Sequence, residues 1–526
     1  MHKEIDKILL GFGKRTLHED GTSTVTFLWK RLLVFIVVST TALYLLIASS
    51  IYFYVHHHKD YRTITYTDCL LLPFQFDSYM AKIGRMQIAT AKHQLREQNY
   101  SQAFSLLKTG LRRAPEAEEA RLILSKFYEK RRPQMAVEIL EVGLEGAKEN
   151  LEYHKHYYQL LDQLHEDQKI IEQARNALKD NPSRETQTVH VYYQARAHML
   201  RGRYEQALNT LKTHKMESTL DGMVLKSMIR FQMGDRERAI DIIERIMEQH
   251  PRAPSNLHAR RTQYYLRSEK NSKARQAAIL WQIAAPDSPQ PYLSQLNAIH
   301  QSSAPKKVER IKQLTEHFTE NFGDNRKAML QLISQLAKYG QTELAHNIYV
   351  HAKKQSDWNQ TQFGIHVVRA RIERGKYKAA LRISENQLNP HADKMDSKTK
   401  QLWNAMLTII KQQTDNIQQA TIHFQKLTQS LQLKASQIME LADMFEEKDM
   451  HTHALELLNK ARAIHSKRSD ILSKYIHLKW EAGENPYKLI PDLKSLQKMR
   501  PPPIELREKI QRIHSSDRFL FTSLKN

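Results

Sequence analysis

The sequence predicts an all-α protein in which one N-terminal transmembrane helix precedes an α-solenoid of about twelve helical hairpins. Three observations predict it. The segment Arg201-Gly202-Arg203-Tyr204-Glu205-Gln206-Ala207-Leu208, read as a helix end, a glycine turn and the start of a second helix, recurs along the chain. Residues 32–55 run for 24 positions without a charge. Glycine supplies only 15 of the 526 residues, well under the usual share of about 7 per cent, while Leu, Ala, Gln, Lys and Glu favour helix nearly everywhere.

Residues 1–31 form a short tail in which Ile5, Ile8, Leu9 and Phe12 are spaced to share one face of a helix. Gly11 to Thr16 does not make a phosphate loop, because the glycine required five positions before Gly13 is Ile8 and no strand is predicted ahead of it. Residues 32–55 are rich in Leu, Val and Ile and long enough, at about 1.5 Å per residue, to cross a hydrocarbon core. Trp29 on one side and Tyr52 and Tyr54 on the other suit the two interfacial belts. The run exceeds the roughly 7–15 residue core of a cleavable signal peptide and lacks a clean small-x-small exit. Lys14, Arg15, Lys30 and Arg31 flank the first end, against Lys59 and Arg62 beyond the second. That balance keeps the tail cytoplasmic and sends the remainder outward.

Residues 56–83 read as a juxtamembrane linker, with an apolar run from Cys69 to Phe76 that Pro73 breaks. The hairpin array is expected over residues 84–503. With the alanine of the recurring segment as anchor, the ladder reads Ala103, Ala136, Ile170, Ala207, Ala239, Ala274, Val308, Ala345, Ala380, Ala420, Ala454 and Leu489, a step of about 35 residues. A proline follows twelve positions later at Pro115, Pro182, Pro251, Pro286 and Pro501, where it stops the second helix. The connections 286–291 and 389–397 are the richest in breakers and mark bends. Residues 504–526 supply a capping helix and a tail.

In period, turn residues, inward alanine and closing proline the chain resembles the tetratricopeptide repeat family over roughly residues 84–503. It departs from the pattern at Ile170, Val308 and Leu489, where the anchor is bulky, and in lacking most early aromatic residues of the first helix. The resemblance implies a right-handed superhelix with first helices lining its concave side, and a noncatalytic role in binding other proteins. On that arrangement Arg85, Lys92 and Arg96 share one face of the first hairpin, Lys92, Arg196 and Arg369 occupy one repeat position, and Tyr192, Met228 and Phe231 add apolar contacts.

Composition narrows the chemistry. A single cysteine, Cys69, excludes an intrachain disulfide and any cysteine-pair metal site. His154 with His156, and His451 with His453, lie two apart, which on a helix turns them about 200 degrees from each other. No enzyme motif, cofactor loop or metal site is expected. The formal charge of +23 favours an anionic partner. The expected protein is therefore a scaffold in a bacterial inner membrane, N-terminus cytoplasmic and repeats periplasmic, that captures protein segments of acidic character. Two alternatives stay open: an anionic polysaccharide binder in export, or, with topology reversed, a cytosolic import or assembly receptor. Nucleic acid is not expected as a partner in the outward orientation, and the sequence leaves the oligomeric state open.

Overall fold

The computed structural model describes residues 5–8, 12–17, 21–59, 61–303 and 305–515. The chain divides into two compact units: Met1–Leu164 with Asn181–Val189, and His165–Asp180 with His190–Asn526.

The first unit opens on a feature the helical reading of residues 5–12 did not anticipate. Strands β1 (Ile5–Ile8), β2 (Gly13–Leu17) and β3 (Ser23–Phe27) form an antiparallel sheet in that order. Thr16 faces Thr24 across the second ladder, with their hydroxyls 3.0 Å apart. The physical reason lies in β3, where Ser-Thr-Val-Thr-Phe alternates β-branched and aromatic residues, and in Gly21, whose φ of 78° turns the chain into it. Residues 5–8 pair with this template instead of coiling. Leu9 and the tail 516–526 lie outside the described residues.

Helix Trp29–Phe53 follows and ends in a π-helical turn, Tyr54–His58. The short helix Tyr66–Leu70 starts on a capping box between Thr65 and Asp68. The first helix of the hairpin array begins at Phe76 rather than at Gly84. It pairs with Tyr100–Arg113, where Gly84 and Gly110 let the two backbones touch: a Cβ on Gly84 would lie 2.7 Å from the Gly110 carbonyl oxygen. Glu118–Tyr128 and Pro133–Glu141 make the next hairpin. Arg121 is buried there as a backbone staple, donating to the Pro115 carbonyl at 2.8 Å and to the Ile139 carbonyl at 3.1 Å.

The second unit repeats the helix pair, from Leu220–Met233 with Arg236–Gln249 to Ser469–Glu481 with Pro486–Lys498, and closes with helix Ile504–His514. The anchor ladder coincides with the core. Ala103, Ala136, Ala207, Ala239, Ala274, Ala345, Ala380, Ala420 and Ala454 are fully buried, and the bulky Ile170 and Leu489 are buried as well. Val308 is the exception at 67 % exposed. It sits in the first turn of Lys307–Phe322, and the position that turns inward is Ile311, fully buried.

Backbone geometry confirms that shift of register. Five positions before most anchors stands a residue with positive φ: Gly202, Gly234, Gly340 and Gly375, but also Gln98, His165, Glu269, Asp415 and Asp449. Lys306, with φ of 58°, holds that place relative to Ile311. A left-handed residue is thus the recurring element of the turn, and glycine only its least strained occupant. In the connection 389–397 the π turn Ser384–Leu388 runs into the 3-10 helix Asn389–Lys394. Leu388 is buried against Gly364, and Trp403 donates its indole N–H to Ser384 Oγ at 2.6 Å.

Two substitutions isolate the turn. Gly375 has φ of 67° and nothing within 4 Å of the place a Cβ would occupy, so Gly375→Ala should cost only backbone strain, about 1 kcal/mol. Glu269→Gly, at φ of 58°, should stabilise by a comparable amount, about 1 kcal/mol. Denaturant midpoints measure both, and shifts of the same sign would contradict the assignment.

Candidate binding surface

The first helices of five hairpins in the second unit, Gln290–Gln301, Arg326–Lys338, Gln360–Glu373, Ala435–Glu447 and Ser469–Glu481, contribute residues to the lining of one cavity of about 730 Å³, which Tyr339 also lines. Its lining includes Asn297, His300, Lys338, Tyr339, Arg369, Glu373, Glu440, Asp443, Glu446, Glu447 and Lys474. Helical spacing explains the acidic side, since Glu440, Asp443 and Glu447 recur at steps of three and four and share one face. Among these residues carboxylates outnumber Lys and Arg by five to three, the reverse of the chain's overall balance.

Arg369 is the centre of the charge pattern. It is only 6 % exposed, donates from Nη2 to Glu440 Oε1 at 3.0 Å, and holds Glu373 at 3.5 Å. Lys448 stands 3.7 Å from the other oxygen of Glu373. Lys474, equally buried, reaches Asp443 at 3.0 Å and Glu446 as well. Burial works to raise Glu440, but the Arg369 charge and hydrogen bond, with Lys338 behind them, hold that carboxyl below its ordinary value. For Glu373 burial prevails over Arg369 and Lys448, and its carboxyl is pushed up. Burial opposes the Lys474 charge, yet Glu446 and Asp443 outweigh it and raise the ammonium. Arg369 and Lys474 are buried while Glu440 and Asp443 stay partly exposed, so removing a carboxylate leaves a buried cation with less compensation. Along the opposite wall the His300 ring stacks on Tyr339 at 3.7 Å, and Tyr339 donates to Asn297 at 3.0 Å.

The residues predicted from sequence are distributed differently. Arg85 is exposed and binds Glu116 at 2.8 Å, Lys92 is paired with Glu119, and Arg96 is exposed at the end of its helix; all three belong to the first unit. Tyr192, Arg196 and Met228 are half-buried in the second unit, and Tyr192 and Met228 pack on a core cluster. Phe231, expected at a surface, is buried and stacked on Tyr264 with ring centroids 4.2 Å apart. The reason is the register of Leu220–Met233, which turns Phe231 toward the next hairpin. Arg369 alone among them lines the cavity, and it is covered by carboxylates rather than offered to an acidic ligand. The acidic face of Ala435–Glu447 was readable in the sequence, but its approach to Arg369, across 71 residues, was not.

A small buried anchor preceded at five positions by a left-handed turn residue, repeated in hairpin after hairpin, decides the architecture. The fold is a tetratricopeptide-type α-solenoid. Among solved structures the chain is similar to Naa15/Naa10 bound to HypK-THB, with 15% identity, 90% of this chain and 71% of that chain covered, and a TM-score of 0.29. It is also similar to Pseudomonas aeruginosa pilF, at 13% identity over 46% of this chain and 92% of that one, TM-score 0.28. A tetratricopeptide repeat protein from Parabacteroides merdae is similar at 14% identity over 49% of this chain and 98% of that one, TM-score 0.32. No protein-family model matches the sequence, and no curated protein does. Among the described residues no group of three His, Cys, Asp or Glu side chains is placed to hold a metal ion.

Several histidines of this tetratricopeptide-type unit titrate far from their ordinary range. Burial pushes His300 down to about 4, helped by Lys307, Lys338 and Arg374. Burial with Arg369 does the same to His366, and burial with Arg203 and Arg175 to His198. An unfolded imidazole titrates near about 6.5, so between that pH and about 4 the folded chain binds fewer protons than the unfolded one. The stability these residues contribute is therefore complete above pH 6.5 and declines as pH falls toward 4. The denaturant midpoint should drop between pH 7 and pH 5. His300→Phe, which keeps the stack on Tyr339, should flatten that slope. A midpoint unchanged over this range would contradict the assigned environments.

Proposed function

We propose that the chain is a noncatalytic, single-pass membrane scaffold that holds protein segments at the outer face of a bacterial inner membrane. The observation that carries this reading is the cavity built from the first helices of five hairpins, an inward surface presented by an otherwise repetitive fold. Its excess of carboxylates favours a segment bearing cationic groups, so the acidic partner expected from net charge is not the one proposed for this cavity. No feature of the cavity favours an anionic polymer over a polypeptide.

Membrane attachment is supported by helix Trp29–Phe53. Leu33, Val34, Phe35, Val38, Leu43 and Leu46 are each more than half exposed along it. Apolar surface left in water costs about 25 cal/mol per Å², and a core helix would be covered. The segment after it folds back: Tyr44 donates its hydroxyl to the Leu70 carbonyl, and Ser49 lies 3.2 Å from the Tyr66 hydroxyl. This leaves Leu71, Phe74 and Phe76 exposed, apolar side chains that add to the surface the helix presents. The cation balance about the helix favours a cytoplasmic N-terminus and periplasmic repeats.

The full-length chain carrying a photo-crosslinking residue at Gln301 or Glu447, on the cavity, should trap a polypeptide in its native membrane. The same group at the outward Val308 should trap none. Equal trapping at all three positions, or none at the two cavity positions, contradicts the scaffold reading. Protease added to spheroplasts should digest the hairpin array, whereas protection until the inner membrane is broken reverses the orientation.

A further inference from the structure

The last hairpin of the second unit is followed by Met499-Arg500-Pro501-Pro502-Pro503, an extended run flanked by helices Pro486–Lys498 and Ile504–His514. A terminal cap has only to cover the core exposed at its own end. Ile510 and Ile513 do so, both buried in the cluster of the final hairpins. The extended run does something further and meets turns some three hundred residues earlier in the same unit.

Arg500 approaches Asp167 with Nε at 3.0 Å and Nη2 at 2.5 Å, one contact to each carboxylate oxygen. Asp167 is 1 % exposed, so a guanidinium at this point compensates a carboxylate that would otherwise be buried and costly. Arg201 donates to the Lys498 carbonyl at 2.8 Å. Pro501 lies over Gly202, where an added Cβ would come 2.8 Å from the proline Cγ. Ile504 lies over Gly234, with the corresponding distance 3.3 Å. Arg507 donates to the Tyr204 hydroxyl at 2.5 Å and to the Gln232 carbonyl, its guanidinium 5.5 Å from the Tyr204 ring centre. The turn glycines of two successive hairpins thus serve twice, once for their left-handed backbone and once for the bare surface they present.

We propose that Asp167, Gly202, Tyr204 and Gly234 form a peptide-binding strip for a segment in which an arginine and extended prolines lead into a helical turn, occupied in this structure by the chain's own Arg500–Arg507. The segment is then a strap that closes the second unit, and a partner of the same chemistry displaces it. Three features carry this. The contacts suit a proline-bearing segment: Pro501, without an N–H donor, lies on the bare surface of Gly202, while Arg500 on Asp167 before it and Arg507 on Tyr204 after it set the register. The strap residues Arg500 to Pro503 border a cavity of about 370 Å³ together with Tyr204, Arg267 and Asp470, which leaves room for exchange. The cap helix has its own hydrophobic attachment to the last hairpins, so releasing the strap does not require unfolding them. The inference goes beyond the scaffold reading and does not depend on it.

The test uses the full-length protein in detergent and a fluorescent synthetic peptide with the sequence of residues 498–512. Arg500→Ala with Arg507→Ala frees the strip, and this double variant should bind the peptide at least tenfold more tightly than wild type does. Adding Asp167→Asn, or replacing the peptide's own Arg500 by Ala, should remove at least tenfold of that binding. A double variant with wild-type circular dichroism that fails to bind, or that binds regardless of Asp167, overturns the proposal. Hydrogen exchange provides a second arm on Asp167→Asn alone. The Arg500 and Ile504 amides should exchange at least tenfold faster while those of Ile510 and Ile513 keep their wild-type rates. Joint acceleration of all four, or of none, overturns the strap.

Discussion

Everything in the array depends on how closely the two helices of a hairpin approach at the anchor. A fully buried alanine such as Ala207 or Ala454 allows backbones to come together without a void, and dispersion over that contact is what a lone amphipathic pair would otherwise lack. The approach is possible only if the chain reverses direction in very few residues, which forces one of them into the left-handed region. The strain at Gln98, Glu269 or Asp449 is tolerated because the packing it permits is worth more. Each hairpin still leaves apolar surface on both sides, and stacking covers it; hence the core clusters run from one hairpin into the next, as from Phe231 to Tyr264.

The same repetition governs charge. A basic chain can place most of its cations in water at little cost, but Arg369 and Lys474 on the inner face lose solvent. Arg369 and Lys474 are therefore found with two carboxylates each, and the cavity they line carries more acid than base although the whole chain carries +23. Net charge describes the exterior of such a fold. It says little about the surface a partner meets.

What was legible in the sequence follows from this. The alanine ladder was readable because a buried small residue between helical patterns has few substitutes, and it failed only at Val308, where a longer connection moved the inward position to Ile311. The turn glycines were readable in only part of the ladder, because Lys306 and Asp415 adopt the same backbone without advertising it. The N-terminal sheet was missed because four apolar residues in a short window fit a helix as well as a strand, and the strand that pairs with residues 5–8, Gly13–Leu17, is itself paired by Ser23–Phe27 further along the chain. The candidate groove was legible only as a helix face. Which cations stay free depends on contacts such as Arg369 with Glu440 and Arg500 with Asp167, and pairings between residues so far apart leave no local pattern.

The central claim is that the inner faces of separated hairpins converge, and the Arg369–Glu440 pair is its narrowest expression. A double-mutant cycle in full-length protein, using Arg369→Leu, Glu440→Gln and the combination, measures it by denaturation. Each single change should be destabilising and the pair should couple by about 1 kcal/mol, since Arg369 is buried and Glu440 accepts its hydrogen bond. Strictly additive effects would mean that the two side chains do not meet, and the convergence of the inner helices would be contradicted.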